Sequence, residues 1–313
     1  MKRLFVYSLL VVGMGLSAGN VRAQQAAMYS QYMFNALAVN PAYAGSRNVL
    51  SATALYRTQW TGIKGAPQTG SFTMDAPFYR KRIGAGIQIF NDQLGITKTT
   101  GGVVSGAYRI RLDKATLSFG MQGSVTQYRA AYSQVELSPG GSPIPDPAFS
   151  EDINKVLFNA GAGVYFNSDK FYLGISVPEL LRNKLTSQSV SAGGELSRQA
   201  LHLFVASGVV LPVGDSFKLK PSFLFKGVEG APLEADINGT IWFKDFIAVG
   251  AQYRTSADIS AMVELQATPQ IRVGYSYDRS LTSLRSYGSG SHEVMLRYEF
   301  GFQPDKVLSP RYF

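Results

Sequence analysis

Side chains able to do acid–base or metal chemistry are few in this chain, and their spacing assembles no site. There are two histidines, His202 and His292, and no cysteine. A zinc centre needs several His, Cys or carboxylate ligands at characteristic separations, and no carboxylate stands at such a spacing from either histidine. His292 and Glu293 are adjacent on an extended segment, so they point to opposite faces. The mature chain has no Gly-x-Ser-x-Gly turn to present a nucleophilic serine. The stretch "DPAFSED" offers Asp146, Glu151 and Asp152 to calcium, but without the alternating carboxylates of a calcium loop. "GAGV" at 161–164 and "GGVVSG" at 101–106 lack a following helix and read as in-strand glycine, there for packing. The expectation is a protein with no catalytic, cofactor-binding or metal-binding residues, working by binding or as a conduit and not as an enzyme.

The elements around these residues point the same way. Lys2 and Arg3 precede an apolar run from Leu4 to about Leu16, and Ala23 follows Val21 in a small-residue cleavage pattern. This reads as a secretory signal peptide, too short in its apolar part to anchor. Without cysteine there is no lipid attachment point, disulfide or thiol chemistry. Loss of the leader's three basic residues lowers the formal charge from +9 to +6. A basic exported protein suits acidic lipid headgroups, lipopolysaccharide or an acidic protein face, and is not expected to meet nucleic acid.

Charged residues make up 16% of the chain, against about 25% in an ordinary soluble domain. Glycine is abundant (32) and aromatics reach 12%. No mature segment has 18 consecutive apolar residues, so no spanning helix is available. Period-2 alternation instead predicts fourteen strands, at 49–59, 68–77, 82–91, 99–111, 115–128, 155–167, 170–177, 200–211, 216–226, 233–243, 246–254, 258–267, 270–278 and 291–302. Connections after even-numbered strands are short, while the odd-numbered ones include the longest, near 129–154, 178–199 and 279–290. Tight turns on one rim and long loops on the other suit an outer-membrane antiparallel β-barrel, all-β, with its short turns periplasmic.

In "SHEVMLRYEF" the alternation then turns Val294, Leu296, Tyr298 and Phe300 to lipid. Glu293, Arg297 and Glu299 face a polar lumen, with Met295 an apolar exception. Arg57 also points inward, where Asp75 or the last strand's glutamates are its expected partners. "VPELLRN" at 177–183 is expected to make one helical turn after Pro178.

"YSQYMFNALAVNPAYAGS" (Tyr29–Ser46), "ALYRTQWTGIKGAPQT" (Ala54–Thr69) and "VGYSYDRSLTSLRSYGSGSHEVMLRYEF" (Val273–Phe300) resemble the PorP/SprF family. These are outer-membrane proteins of the type IX secretion and gliding machinery of Bacteroidetes, and the likeness is greater to the PorP branch. Matching positions are Gln31, Tyr32, Asn35, Asn40, Pro41, Tyr43 and Gly45, then Tyr56, Arg57, Gln59 and Trp60, and finally Gly274, Tyr275, Tyr277, Asp278 and Gly290 to Glu293.

The resemblance implies a subunit that works with the periplasmic PorK lipoprotein, PorN ring and peptidoglycan-binding PorE protein. It also implies support for export of cargo with C-terminal sorting domains. The tail "GFQPDKVLSPRYF" departs from the family's habit of ending at the last strand.

The expected organisation is a leader (1–23), a periplasmic segment or plug (24–48), the barrel (49–302) and a periplasmic tail (303–313). Candidate partner-binding residues are Gln31, Tyr32, Asn35, Asn40, Pro41 and Tyr43, joined by the basic turn Arg80, Lys81 and Arg82 and by Lys306 and Arg311 in the tail. Arg57, Glu293, Arg297 and Glu299 are candidate lumen residues with a structural role. The alternative function is a passive porin or substrate channel, which needs an open bore.

Overall fold

The structure, a computed structural model, describes residues 30–134, 152–185, 198–255 and 257–300. The leader, most of the "DPAFSED" stretch and the tail with Lys306 and Arg311 lie outside the described residues.

Fourteen antiparallel strands form: β1 Leu50–Thr58, β2 Gln68–Phe78, β3 Ile83–Leu94, β4 Thr97–Arg111, β5 Ala115–Ala130, β6 Ile153–Ser168 and β7 Phe171–Val177. They continue as β8 His202–Val209 with its extension Leu211–Val213, β9 Phe217–Val228, β10 Glu234–Phe243, β11 Ile247–Arg254, β12 Asp258–Gln266, β13 Ile271–Ser280 and β14 Ser291–Phe300. The two parts of β8 keep one register against β9, from Ser222↔Gly208 to Leu219↔Leu211. The break lies beside Pro221, which has no N–H to donate, and Val210 N donates to Lys170 O instead (2.7 Å).

Each strand pairs with its sequence neighbours, and β14 pairs with β1 from Leu50↔Phe300 to Thr58↔His292, closing the barrel. Closure satisfies every strand edge, which a bilayer demands of a sheet. No described helix is long and apolar enough to cross a membrane.

The alternation read from the sequence is the facing of the strands. On β14, Val294, Leu296, Tyr298 and Phe300 are 40–50% exposed, whereas Glu293, Met295, Arg297 and Glu299 are at most 8% exposed. The apolar face is therefore outermost and the polar face is inside. Outward aromatics gather near the short-turn rim, where Phe217 packs on Phe243 (5.1 Å) and Tyr298 on Phe300 (4.5 Å). Tyr56, Tyr253 and Tyr275 stand exposed toward the other rim. Two such girdles bound the apolar band of an outer-membrane barrel.

Pro178–Asn183 does not make the expected helical turn. The segment runs along β6, with Leu180 N on Ala160 O (2.8 Å) and Leu181 N on the Asn159 side chain (2.8 Å). A wall glycine makes this approach possible, since a Cβ on Gly161 would lie 2.2 Å from Pro178 O.

Candidate functional site: a plugged lumen and a basic rim

Ser30 to Arg47 lies inside the barrel, and Asn48 is exposed where the chain leaves it. The segment is two 3₁₀ turns, Tyr32–Phe34 and Pro41–Tyr43, around one short helix, Ala36–Val39. Asn40 caps the second turn by accepting from Ala42 N (2.9 Å), with Pro41 at the first helical position. The segment descends from the long-loop end of the lumen, where Ser30 meets β13 and β14, to the short-turn end, where Arg47 meets Glu299.

Ionic contacts hold both ends. Arg57 pairs with Asp278 (2.6 Å) and Glu293 (3.2 Å), and its Nη1 donates to Ser30 Oγ (2.8 Å). Ser30 Oγ in turn donates to Asp278 (2.7 Å). Glu293 accepts the backbone N–H groups of Ser30 (2.9 Å) and Gln31 (2.8 Å). At the other end Arg47 Nε donates to Glu299 (2.6 Å), and Asp75 accepts Gly45 N (2.8 Å). Between them, Arg297 donates to Thr53 Oγ1 (3.0 Å) and to Phe34 O. Asn35 Nδ2 donates to Ser71 (3.2 Å) and its Oδ1 accepts from Thr73 (3.1 Å).

Apolar packing fills the rest. Tyr32, Met33 and Phe34 cluster with Leu224, Met262 and Met295, which accounts for Met295 on the otherwise polar inner face. Tyr43 meets the edge of Tyr165 at 5.4 Å. The wall is thinned where the segment touches it: a Cβ on Gly84 would fall 1.9 Å from Ala44 O, and one on Gly120 would fall 2.2 Å from Ala42 N. Backbone against backbone at that range admits glycine alone.

Arg57, Glu293, Arg297 and Glu299 thus all face the lumen and engage the internal segment. Arg57 takes Asp278 and Glu293 as partners in place of Asp75, which serves Gly45. Asp278 had a legible signal, being an inward acid on β13 two residues from its outer end. Ser30 and Arg47 had none, because they lie on irregular backbone. Gln31, Tyr32, Asn35, Asn40, Pro41 and Tyr43 are all buried in the lumen, so in this conformation they offer no face to the periplasm.

The basic turn is placed differently. Tyr79, Arg80 and Lys81 have φ of 40°, 52° and 63°, and Arg80, Lys81 and Arg82 are exposed. Arg109 N donates to Arg82 O (2.7 Å), which brings the β4–β5 turn alongside with exposed Arg111 and Lys114. Five cations therefore share one patch of the rim, with exposed Asp113 beside them.

Above the plug is a cavity of about 390 Å³, floored by Tyr32, Ala38 and Val39 and lined by Gln88, Phe204 and Arg254 among others. Among the described residues no three His, Asp or Glu side chains cluster as metal ligands. His202 is buried with Nδ1 on Ala200 O (3.0 Å), and His292 meets Tyr275 OH (2.7 Å) at the outer face.

Several solved barrel structures are similar to this chain at low identity. The Ralstonia pickettii toluene transporter TbuX is 9% identical with a TM-score of 0.48, over 86% of this chain and 92% of that one. Acinetobacter baumannii Omp33 is 10% identical, TM-score 0.44, over 80% and 96%. The KdgM porin is 7% identical, TM-score 0.40, over 80% and 99%. No curated protein matches in sequence. Residues 21–298 match the family described as "Type IX secretion system membrane protein PorP/SprF". With that match spanning nearly the whole barrel and its plug, the chain belongs to the PorP/SprF family, an outer-membrane component of type IX secretion.

Proposed function

We propose that this barrel acts without catalysis, as an outer-membrane anchor that couples periplasmic parts of the secretion machine through its basic rim. The observation that carries this reading is the patch of Arg80, Lys81, Arg82, Arg111 and Lys114 on adjacent short turns. A patch with a strong net positive charge, here five cations against the one acid Asp113, attracts and orients a partner of the opposite sign. The left-handed run at Tyr79–Lys81 is also costly, on the order of 1–3 kcal/mol per non-glycine residue, and such strain gathers where it serves a function. The partners are those the family implies: the PorK lipoprotein, the PorN ring and the peptidoglycan-binding PorE protein, acting in export of cargo with sorting domains.

The test is charge reversal of Arg80, Lys81 and Arg82 to Glu, followed by gentle extraction and mass spectrometry of co-purifying proteins. The anchor reading requires the periplasmic ring proteins to be lost while the barrel stays heat-modifiable on gels. Full retention at physiological salt would overturn it. A second reading, a passive porin or substrate channel, is favoured by the cavity above the plug. It requires single-channel conductance from the intact protein in planar bilayers, which the anchor reading does not.

A further inference from the structure

The tallest part of the wall, β3 to β6, carries an outward patch that neither the plug nor the rim uses. Along β5 the outward residues run Phe119, Met121, Gly123 and Val125, then turn polar at Gln127 and charged at Arg129. On β4 the same face runs Tyr108, Gly106, Val104 and Gly102, then Thr100 and Lys98. Register places Lys98 directly opposite Arg129, and Arg129 opposite Asn154 of β6. Both cations are exposed on the lipid-facing side. They stand beyond the end of the apolar band by roughly 7–13 Å of strand, at about 3.3 Å per residue. That is the depth of the outer-leaflet headgroups when the long loops face outward.

Two like charges directly opposed on neighbouring strands destabilise a sheet. The neighbouring polar side chains are engaged with one another: Gln127 Nε2 donates to Asn154 (3.0 Å), the residue opposite Arg129, and Thr100 Oγ1 to Asn91 (2.9 Å). Asp152, on the same face two residues before Asn154, accepts Ser133 N (2.9 Å). Among the described residues Lys98 and Arg129 have no ion-pair partner. An Arg fork beside a Lys point charge is the pairing that grips a phosphate.

We propose that Lys98 and Arg129 form a phosphate-binding site for the phosphorylated glycolipid of the outer leaflet, fixing the tall wall of the barrel to its lipid surroundings. The occupant is a lipid phosphate because the acyl chains of such a molecule would continue over Val125, Val156 and Phe158, which are 48–63% exposed just below.

The experiment is native mass spectrometry of the full-length protein in detergent, titrated with bisphosphorylated lipid A, with dephosphorylated lipid A and with phosphatidylglycerol. The Lys98→Gln/Arg129→Gln double variant is compared with wild type, and Arg279→Gln, a distant outward cation, serves as control. Loss of two charge-assisted contacts should weaken bisphosphorylated lipid A by about tenfold or more, leaving Arg279→Gln at wild-type affinity. Equal binding by wild type and double variant would overturn the site. So would equal wild-type affinity for the dephosphorylated lipid, or a preference for phosphatidylglycerol. Both substitutions are on the surface and remove a like-charge clash, so heat-modifiability reports independently that the variant has folded.

Discussion

Glu293 joins the plug to the wall at one carboxylate, accepting two backbone N–H groups and Arg57. Glu293→Ala leaves the buried Arg57 guanidinium with Asp278 and the Ser30 hydroxyl and orphans two N–H donors. Breaking a buried pair in this way costs about 3–5 kcal/mol. We expect a clearly lower midpoint in the heat-modifiability transition, and an unchanged midpoint would show that the network adds no stability. Gly84 tests the contact instead of the charge. Gly84→Ala puts a methyl into the Ala44 carbonyl and should unseat the segment near Gly45, making it sensitive to added protease. Gly106→Ala, where a Cβ meets nothing within 4 Å, should behave as wild type. Equal protection of both variants would mean that the wall yields.

At the scale of the strand, facing decides what a substitution does. Leu296→Arg puts a charge on the lipid face of β14, at about 2–4 kcal/mol near the bilayer midplane. It should cut the yield of assembled barrel in outer-membrane fractions. Arg297→Leu, one residue on and inward, should assemble well and only loosen the plug, because what it removes are contacts to Thr53 and Phe34. Matching assembly defects in the two would reverse the facing. The glycines read as packing residues act at this scale too. Gly161 admits the Pro178 carbonyl, so the 178–183 segment follows β6 and does not coil into a helical turn.

For the whole molecule the question is whether the bore is open. The wall alone would enclose an open lumen, and the Ser30–Arg47 segment runs through it between Glu293 and Glu299, leaving the cavity above it. Deleting residues 30–46 should raise conductance in planar bilayers well above that of the intact protein, with the inner charges Arg57, Glu293 and Arg297 exposed to water. Silence after deletion, in a barrel that still folds, would mean that other parts of the chain close the bore. The split of tasks follows from this layout. The Ser30–Arg47 plug takes up part of the lumen and a cavity of about 390 Å³ remains above it, so on the proposed reading partners meet the exposed short-turn rim and not the plug.

The strands, their facing and the segregation of loop lengths were all determined by the sequence. A strand between lipid and a polar interior must alternate at every second residue, and that constraint is local enough to read without neighbours. The basic turn was equally legible as three consecutive cations, although Arg111 and Lys114 joined it only through the pairing of β3 with β4. A segment or plug over 24–48 was already an expectation, but its course from the long-loop end of the lumen and its anchors belonged to the tertiary structure. Its backbone is irregular, so no period announces which side chains turn where, and its anchors are as far as 263 residues away in the chain. Arg57's choice of Asp278 and Glu293 over Asp75 was settled the same way, because several inward acids satisfy the alternation rule and only barrel closure, with Ser30 wedged between them, brings one set within reach.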